Sequence, residues 1–332
     1  MRIAFFEARE WEKAYLQERL ASDGAVFIDG VLKHKHLEKL RDAECLSCFI
    51  YSKVTAEVLS ALPVLKMITT RSTGYDHIDV AACRKHKIAV CNVPYYGENT
   101  VAEHTFALIL MLSRKVHKAH AQVQQGQINL ETLTGFDLQG KTIGVIGAGR
   151  IGLHIIRIAR GFGMEVLAYD IHRDAFLADL MGFKYVSLDW LLADSDIVTL
   201  HCPLTPSTRH LMNRQRLWQM KQGALLINTA RGPLVDTEVL AEALAAGQLS
   251  GAGLDVIEGE ELTKEDQQLL SRGGHFEDML MAVRNRKLLA RDDVIFTPHN
   301  AFNSCEAILR ILDTTLANLE AYREGKPVNL VS

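Results

Sequence analysis

Short apolar runs alternate with stretches of helical periodicity along almost the whole chain. In the first third, the strands predicted from these runs are residues 2–6, 25–27, 48–51, 67–70 and 89–92. A helix is predicted for residues 10–23, and residues 100–125 are predicted to form one long helix that is apolar over most of its circumference. Because a parallel strand needs a crossover helix before the next strand can begin, this alternation predicts an α/β fold with parallel sheets.

A second series of strands and helices begins near Lys141. Its apolar runs are KTIGVIG, EVLAYD, IVTLHC, ALLINT, GAGLDV and VIFTPH, and a last helix is predicted for residues 304–323. A chain of 332 residues exceeds what a single hydrophobic core usually supports, so two domains are predicted. Residues 259–293 are rich in charge and contain Gly273 and Gly274, which predicts a helix or two around an excursion from the second domain.

Composition narrows the class of protein. The formal net charge is −3, which leaves no basic surplus for binding nucleic acid. Glu7, Glu10 and Glu12 interrupt the apolar stretch that a signal peptide needs, and no window reaches the roughly 20 apolar residues of a membrane span. The six cysteines lack a disulfide spacing, and Cys45 and Cys48, although they match C-x-x-C, run into an apolar strand. These features predict a cytoplasmic protein with reduced thiols and no bound metal.

The run KTIGVIGAGRIG contains the motif G-x-G-x-x-G, formed by Gly147, Gly149 and Gly152, between a predicted strand and a predicted helix. In this context the first glycine permits a tight turn, the second lets the backbone approach a pyrophosphate, and the third packs the helix against the strand. Asp170 ends the next strand, where a carboxylate accepts hydrogen bonds from both ribose hydroxyls and repels a 2′-phosphate. The motif therefore predicts NAD rather than NADP, although Arg173 three residues later weakens that selection.

Three polar residues follow three strands of this second series. Arg231 comes after ALLINTA, Glu260 lies five residues past the end of GAGLDV, and His299 comes after VIFTP. Reduction of a 2-oxo acid needs a cation for the carboxylate, a general acid for the new hydroxyl, and a group that keeps that acid protonated. Residues that follow parallel strands meet at the ligand-binding edge of the sheet, so these three predict such a site. A surface ion pair for Arg231 and a structural or solvated role for His299 are the alternatives.

Several motifs occur in a characteristic order over nearly the whole chain: KTIGVIGAGRIG, SDIVTLHCPLTPSTRHLMN, NTARGPLVD, GAGLDVIEGE and TPHNAF. In this they resemble the D-isomer-specific 2-hydroxyacid dehydrogenase family, most of all its D-lactate dehydrogenase branch. The resemblance implies that Arg231 anchors the substrate, that His299 is the acid/base and that Glu260 is its partner. The further cofactor contacts that it implies are Arg150, Ile151, Cys202, Pro203, Thr208, Thr229, Ala230 and Asp255, the last against the nicotinamide carboxamide.

The resemblance also implies substrate contacts. RSTGYDHID resembles the turn whose backbone N–H groups bind the substrate carboxylate, which implies Thr73 and Gly74. Tyr96 matches a substrate-contacting tyrosine, and Phe302 matches an aromatic residue of the pocket wall. An ordinary turn and core aromatic residues are the alternatives.

A domain order follows from the same resemblance. A flavodoxin-like substrate domain of residues 1–99 and 300–332 is expected, with a Rossmann NAD-binding domain of residues 100–299 inserted into it. The catalytic cleft is then expected between the domains, and the long helix is expected to help form a homodimer.

The implied reaction is NAD-dependent reduction of a small 2-oxo acid to the D-2-hydroxy acid, with pyruvate and D-lactate as the favoured pair. Two alternatives remain. One is a glyoxylate or hydroxypyruvate reductase, which uses the same constellation on another substrate. The other is a non-catalytic, NAD-sensing module similar to the corepressors that share this fold, against which the presence of Arg231, Glu260 and His299 argues.

Overall fold

A computed structural model describes residues 1–20, 24–260 and 276–331 of the chain. In chain order, the described strands are β1 (Arg2–Phe6), β2 (Gly24–Ile28), β3 (Cys45–Cys48), β4 (Met67–Thr70), β5 (Ala89–Cys91), β6 (Thr142–Ile146), β7 (Glu165–Tyr169), β8 (Lys184–Tyr185), β9 (Ile197–Leu200), β10 (Ala224–Asn228), β11 (Leu249–Leu254) and β12 (Val294–Phe296). The described α-helices are α1 (Glu10–Arg19), α2 (Ala56–Ser60), α3 (Val80–Lys85), α4 (Glu98–Arg114), α5 (Val116–Gln124), α6 (Arg150–Gly161), α7 (Ala175–Met181), α8 (Leu188–Asp194), α9 (Arg214–Gln219), α10 (Thr237–Ala245), α11 (Phe276–Leu289) and α12 (Cys305–Arg323). Residues 261–275, within the predicted excursion, lie outside the described residues.

The chain divides into two units, Met1–Gly97 with Ser304–Ser332 and Glu98–Asn303. The first unit has a five-stranded sheet of order β2-β1-β3-β4-β5, and every neighbouring pair is parallel. This is the order of flavodoxin-like sheets. Strands β1, β3 and β4 are buried over almost their whole length, because helices cover parallel sheets on both faces.

The second unit has a seven-stranded parallel sheet of order β12-β11-β10-β9-β6-β7-β8. From β6 the chain first adds β7 and β8 on one side of the sheet and then β9, β10 and β11 on the other side, which is the strand order of a Rossmann sheet. Strand β12 is added at the edge next to β11. The prediction of two doubly wound parallel-sheet domains is therefore confirmed. The reversal lies between β6 and β9, and ligands of open α/β sheets bind beyond the carboxyl ends of strands at such a point.

The long helix predicted for residues 100–125 is wrong in one respect, because the structure has two helices there, α4 and α5. Lys115 between them adopts a left-handed backbone conformation with φ of 49°. The carbonyl of Ser113 at the end of α4 accepts a hydrogen bond from Phe136 N (2.9 Å), and Lys115 Nζ donates to Thr132 O (3.1 Å). The returning chain thus caps α4, and apolar periodicity carries no sign of that cap. No described helix combines the length and the apolar character needed to span a membrane.

The strand predicted at residues 48–51 lies three residues earlier, as β3. Hydrogen bonding to β1 and β4 stops near Cys48, and the carboxylate of Glu7 takes over the following backbone. Its oxygens accept hydrogen bonds from Phe49 N (3.0 Å) and Tyr51 N (3.1 Å). The apolar run CFIY therefore extends beyond the end of β3 into a loop whose backbone is held by the side chain of Glu7.

Of the other predicted elements, two strands and the last helix are confirmed, and one helix ends earlier than predicted. The strands at residues 2–6 and 67–70 are confirmed, and the last helix is confirmed with Ser304 as its N-cap. The helix predicted for residues 10–23 ends early, at Arg19, because β2 already begins at Gly24. Residues 21–23 lie outside the described residues.

Candidate active site

The glycine motif forms the turn between β6 and α6. Gly147 has φ of 99°, and a Cβ there would lie 2.7 Å from the backbone of His201. Gly152 packs so closely that its Cβ would lie 2.0 Å from Gly147 O. At Gly149, the N-cap of α6, a Cβ would meet nothing within 4 Å. The turn is therefore closed towards the sheet and open at the start of the helix, where backbone N–H groups and the helix dipole favour a phosphate.

Asp170 follows β7 and braces this turn. Its Oδ2 accepts a hydrogen bond from Ala148 N (2.7 Å), and its Oδ1 accepts one from His172 N (2.9 Å). Each carboxylate oxygen has further lone pairs, so the group can still accept the two hydroxyls of a ribose. The guanidinium of Arg173 donates to Val186 O (3.1 Å). The open turn and this carboxylate together fit a dinucleotide with an unmodified ribose.

The loop after β9 contributes an uncharged wall. Burial lowers the pKa of His201 to about 3 and raises the pKa of Cys202 to about 11, so both are neutral near pH 7. Thr208 closes the loop by donating its hydroxyl to Pro203 O (2.7 Å). Thr199 Oγ1 lies 2.8 Å from His201 Nε2. An uncharged surface of this kind suits the uncharged parts of a dinucleotide.

Arg231 follows β10, after Thr229 and Ala230, and is held by a residue that the sequence pattern did not single out. Asn228 accepts a hydrogen bond from Ala230 N (3.1 Å) and donates one to Arg231 O (2.9 Å). The guanidinium of Arg231 donates to Ala230 O (2.7 Å), and Thr229 Oγ1 lies 3.0 Å from Thr105 Oγ1. Arg231 therefore lies on a loop whose backbone is fixed by hydrogen bonds to the side chain of Asn228.

His299 and Glu260 form a hydrogen-bonded ion pair in the second unit. His299 Nδ1 lies 2.9 Å from Glu260 Oε1, and both side chains are about one-fifth exposed, at 22% and 20%. His299 has φ of 55°, which is a left-handed conformation that is costly for a residue with a Cβ. Such strain persists only where the surroundings fix it, and it is common at functional sites. The hydrogen bond to the carboxylate fixes the orientation of the ring.

Asp255 fixes the backbone of the loop that bears His299. It is completely buried, and its carboxylate accepts hydrogen bonds from the Thr297 hydroxyl, Asn300 N (3.0 Å) and Ala301 N (2.9 Å). Its backbone carbonyl accepts a further bond from His299 N (2.8 Å). In this conformation the carboxylate holds the loop that bears His299, and its contact with the nicotinamide carboxamide stays a prediction. Thr297 gave no signal in the sequence because hydroxyl residues at strand ends are common.

The other predicted residues occupy the following places. Thr73 and Gly74 lie in the turn after β4, where Thr73 Oγ1 donates to Val93 O (2.8 Å) and Ser72 Oγ donates to Gly74 O (2.7 Å). Tyr96 belongs to the same unit, and its carbonyl accepts a hydrogen bond from Arg310 Nε (2.5 Å). The remaining three lie in the second unit and are Arg150, Ile151 and Phe302. Arg150 and Ile151 open α6, and Arg150 Nη1 lies 3.7 Å from Glu98 Oε1.

The chain resembles known proteins over its whole length. The family model described as the NAD-binding domain of D-isomer specific 2-hydroxyacid dehydrogenases matches residues 106–301. The D-lactate dehydrogenase of Escherichia coli (strain K12) is 36% identical over 98% of each chain. The glyoxylate reductase of Thermofilum pendens is 39% identical over 87% of this chain and 81% of its own. Among solved structures, D-lactate dehydrogenase from Aquifex aeolicus complexed with NAD and lactic acid superimposes with a TM-score of 0.87, at 36% identity, over 98% of this chain and 96% of that one.

Proposed function

The chain belongs to the D-isomer specific 2-hydroxyacid dehydrogenase family, and from this we propose that it reduces pyruvate to D-lactate. Membership makes it an NAD-dependent oxidoreductase that acts on 2-hydroxy and 2-oxo acids. The observation that carries the proposed chemistry is the hydrogen bond between His299 Nδ1 and Glu260 Oε1, in the unit whose sheet also carries the glycine turn. A non-catalytic sensing module has no need of a histidine held in a strained conformation by a carboxylate there.

NAD, when bound, supplies or accepts the hydride at the C2 carbon of the substrate. We assign the pyrophosphate to the turn at Gly147, Gly149 and Gly152 and to the first turn of α6, with Arg150 and Ile151. We assign Asp170 to the adenosine ribose. Its negative charge there repels the 2′-phosphate of NADP. The residues assigned to the rest of the cofactor are Cys202, Pro203, Thr208, Thr229, Ala230 and Asp255.

Arg231 is assigned to the substrate carboxylate. A guanidinium presents parallel N–H donors that match the two oxygens of a carboxylate. Its positive charge also stabilises the negative charge that develops on the C2 oxygen during reduction. Thr73 and Gly74, by their backbone N–H groups, and the side chains of Tyr96 and Phe302 are assigned to the rest of the substrate.

His299 is assigned as the acid/base. Because Nδ1 is engaged with Glu260, the other ring nitrogen, Nε2, is the atom that exchanges a proton with substrate. In reduction the charged imidazole donates this proton to the C2 oxygen, and in oxidation the neutral ring accepts it from the hydroxyl. Glu260 is assigned as the partner that holds the ring in this orientation through its hydrogen bond to Nδ1.

Both candidate substrates are represented among the relatives. A relative named D-lactate dehydrogenase at 36% identity over nearly the full length supports pyruvate. A relative named glyoxylate reductase at 39% identity over a shorter range supports glyoxylate. We retain glyoxylate as the second candidate because the identities are comparable, and favour pyruvate because the similarity to the first relative covers more of the chain.

We also propose that the protein is a homodimer. Helix α5 and the turn after it expose Val116, Val123, Ile128 and Leu130, of which Ile128 is 77% exposed. Four exposed large apolar side chains within fifteen residues of the sequence favour a protein contact. Light scattering of the purified protein is expected to give twice the mass of the chain, and Val123→Glu is expected to return the mass to that of one chain.

The proposed activity is tested by NADH oxidation with a panel of 2-oxo acids: glyoxylate, pyruvate, hydroxypyruvate, 2-oxobutyrate, 2-oxoisocaproate and phenylpyruvate. The highest kcat/KM is expected for pyruvate. Preference for glyoxylate or hydroxypyruvate would transfer the assignment to the second candidate. NADH binding without turnover of any acid would instead support the sensing module.

A further inference from the structure

The segment that follows β11 contains two glutamates with similar surroundings. Glu260 lies 2.9 Å from a ring nitrogen of His299, and Glu258 Oε2 lies 2.8 Å from His210 Nε2. Gly259 between them has φ of 70°, so the backbone turns between the two glutamates. The first pair carries the proposed proton transfer, whereas nothing in that reaction uses the second.

Glu258 is held more firmly than its partners. The residue is 8% exposed, and its second carboxylate oxygen accepts a hydrogen bond from the guanidinium of Arg209, whose side chain is 56% exposed. The carbonyl of Glu258 accepts a hydrogen bond from Asn285 Nδ2 (2.8 Å), and Asn285 is completely buried in α11. Both the side chain and the backbone of Glu258 are thus fixed, and the Arg209–Glu258–His210 clamp joins the loop after β9 to the segment that bears Glu260.

The same backbone also supports the substrate anchor. A Cβ at Gly232 would lie 2.2 Å from the carbonyl carbon of Ile257 and 2.5 Å from Glu258 N. Residue 232 therefore has to be glycine for this close contact, and it directly follows Arg231. A shift of residues 257–258 would therefore displace Arg231, through the contact with Gly232, and Glu260, through the backbone.

His210 occupies a position that suits glycine. Its φ is 48°, a conformation that glycine adopts without the steric cost paid by a residue with a Cβ. Its backbone N donates to Pro233 O (2.8 Å), a contact that glycine can also make. What the histidine adds is its ring, and the ring contacts Glu258.

We propose that Glu258 is a positioning residue for the reaction, which through Arg209 and His210 holds residues 257–260 so that Glu260 stays directed at His299 Nδ1. The inference rests on the proposed function. Orientation of a general acid matters because a displacement of about 1 Å can lower a rate by about a hundredfold.

Two variants open the clamp by different routes. Glu258→Ala removes the carboxylate, and Arg209 and His210 are exposed enough to regain water. His210→Gly removes the ring and relieves the backbone strain, so its Tm is expected to equal or exceed that of the wild type. The matched control is Glu242→Ala, which removes an ion pair with Arg214 on the surface of the same unit. With pyruvate and NADH, kcat is expected to fall about tenfold in the two clamp variants and to stay unchanged in the control.

A double variant separates positioning from general weakening of the fold. If Glu258 acts through Glu260, then Glu258→Ala with Glu260→Gln has the same kcat and the same pH profile as Glu260→Gln alone. Losses that multiply would overturn the proposal, as would wild-type kcat in His210→Gly. Should Glu258→Ala not fold, His210→Gly decides alone. A wild-type protein without turnover on any 2-oxo acid contradicts the proposed function instead, so the two failures are distinguishable.

Discussion

Two arginines follow strands of the two sheets, and the structure uses them differently. Arg71 comes after β4 in TTRST, and Arg231 comes soon after β10 in NTARGP. Arg71 is 2% exposed and donates to Phe6 O (2.5 Å) and Ser47 Oγ (3.0 Å), so it ties the ends of three neighbouring strands together. Arg231 is partly exposed, and its guanidinium donates to the carbonyl of the adjacent Ala230. The position after a strand therefore does not by itself distinguish an arginine that holds the fold, such as Arg71, from Arg231, which we propose as the substrate anchor.

Two histidines after strands differ in the same way. His201 Nε2 contacts the hydroxyl of Thr199, and burial lowers the pKa of its ring to about 3. His299 Nδ1 contacts the carboxylate of Glu260. A hydroxyl does not compensate a charged imidazole, whereas a carboxylate does. The partner, rather than the position after a strand, distinguishes the buried His201 from His299, which we propose as the acid/base.

The largest effect is expected from Arg231→Gln. This change removes the cation from the substrate carboxylate while keeping a side chain of similar length, so kcat/KM for pyruvate is expected to fall about a thousandfold. Thermal unfolding is expected to change less than on substitution of the buried Arg71, because the Arg231 side chain is partly exposed. Steady-state kinetics with NADH and pyruvate measure the loss. An activity within tenfold of wild type would place the anchor elsewhere.

Arg71→Gln is the matched change in the first unit. It leaves the carbonyl of Phe6 without a buried donor, and the free energy of unfolding is expected to fall by about 3 kcal/mol. Urea unfolding measures this difference, with Arg231→Gln as the control. A stable Arg71→Gln protein with a raised KM for pyruvate would make both arginines substrate residues and remove the distinction between them.

The pattern of apolar residues predicted some elements of the fold correctly and misplaced others. Periodicity located β1, β4 and the last helix because each is an uninterrupted run on a covered sheet or helix face. It missed the break at Lys115, where a distant segment caps α4, and it misplaced β3, where Glu7 holds the backbone. Both depend on residues far away in the sequence, and a local pattern has no access to them.

The same limit applies to the site. Family motifs singled out Glu260 and His299, and the structure places their polar atoms within hydrogen-bond distance. They gave no indication of Asn228 or of the bond between Glu258 and His210, which are 48 positions apart. Such supporting contacts follow from tertiary packing and become visible only when the strands have been assembled.

Glu260→Gln tests the partner rule for histidines. The amide keeps the shape of the side chain but loses the negative charge that stabilises the protonated imidazole. The pH above which pyruvate reduction fails is expected to move down. A pH profile of kcat measures the shift, and Glu242→Gln on the same unit is the control. An unshifted profile would remove Glu260 from the proton transfer.

His201→Asn is expected to give the smallest effect, and it concerns stability alone. The pKa of His201 is about 3 in the folded protein, and a histidine in an unfolded chain has a pKa of about 6.5, so between these values the unfolded state binds the extra proton. Stability is therefore lost as the pH falls through 6.5, by about 1 kcal/mol between pH 6.5 and 5.5. The asparagine variant lacks this proton uptake, so its deficit against wild type is expected to narrow by that amount on acidification, as measured by urea unfolding at the two pH values. A deficit that stays constant would mean that His201 accepts a proton in the folded protein despite its burial.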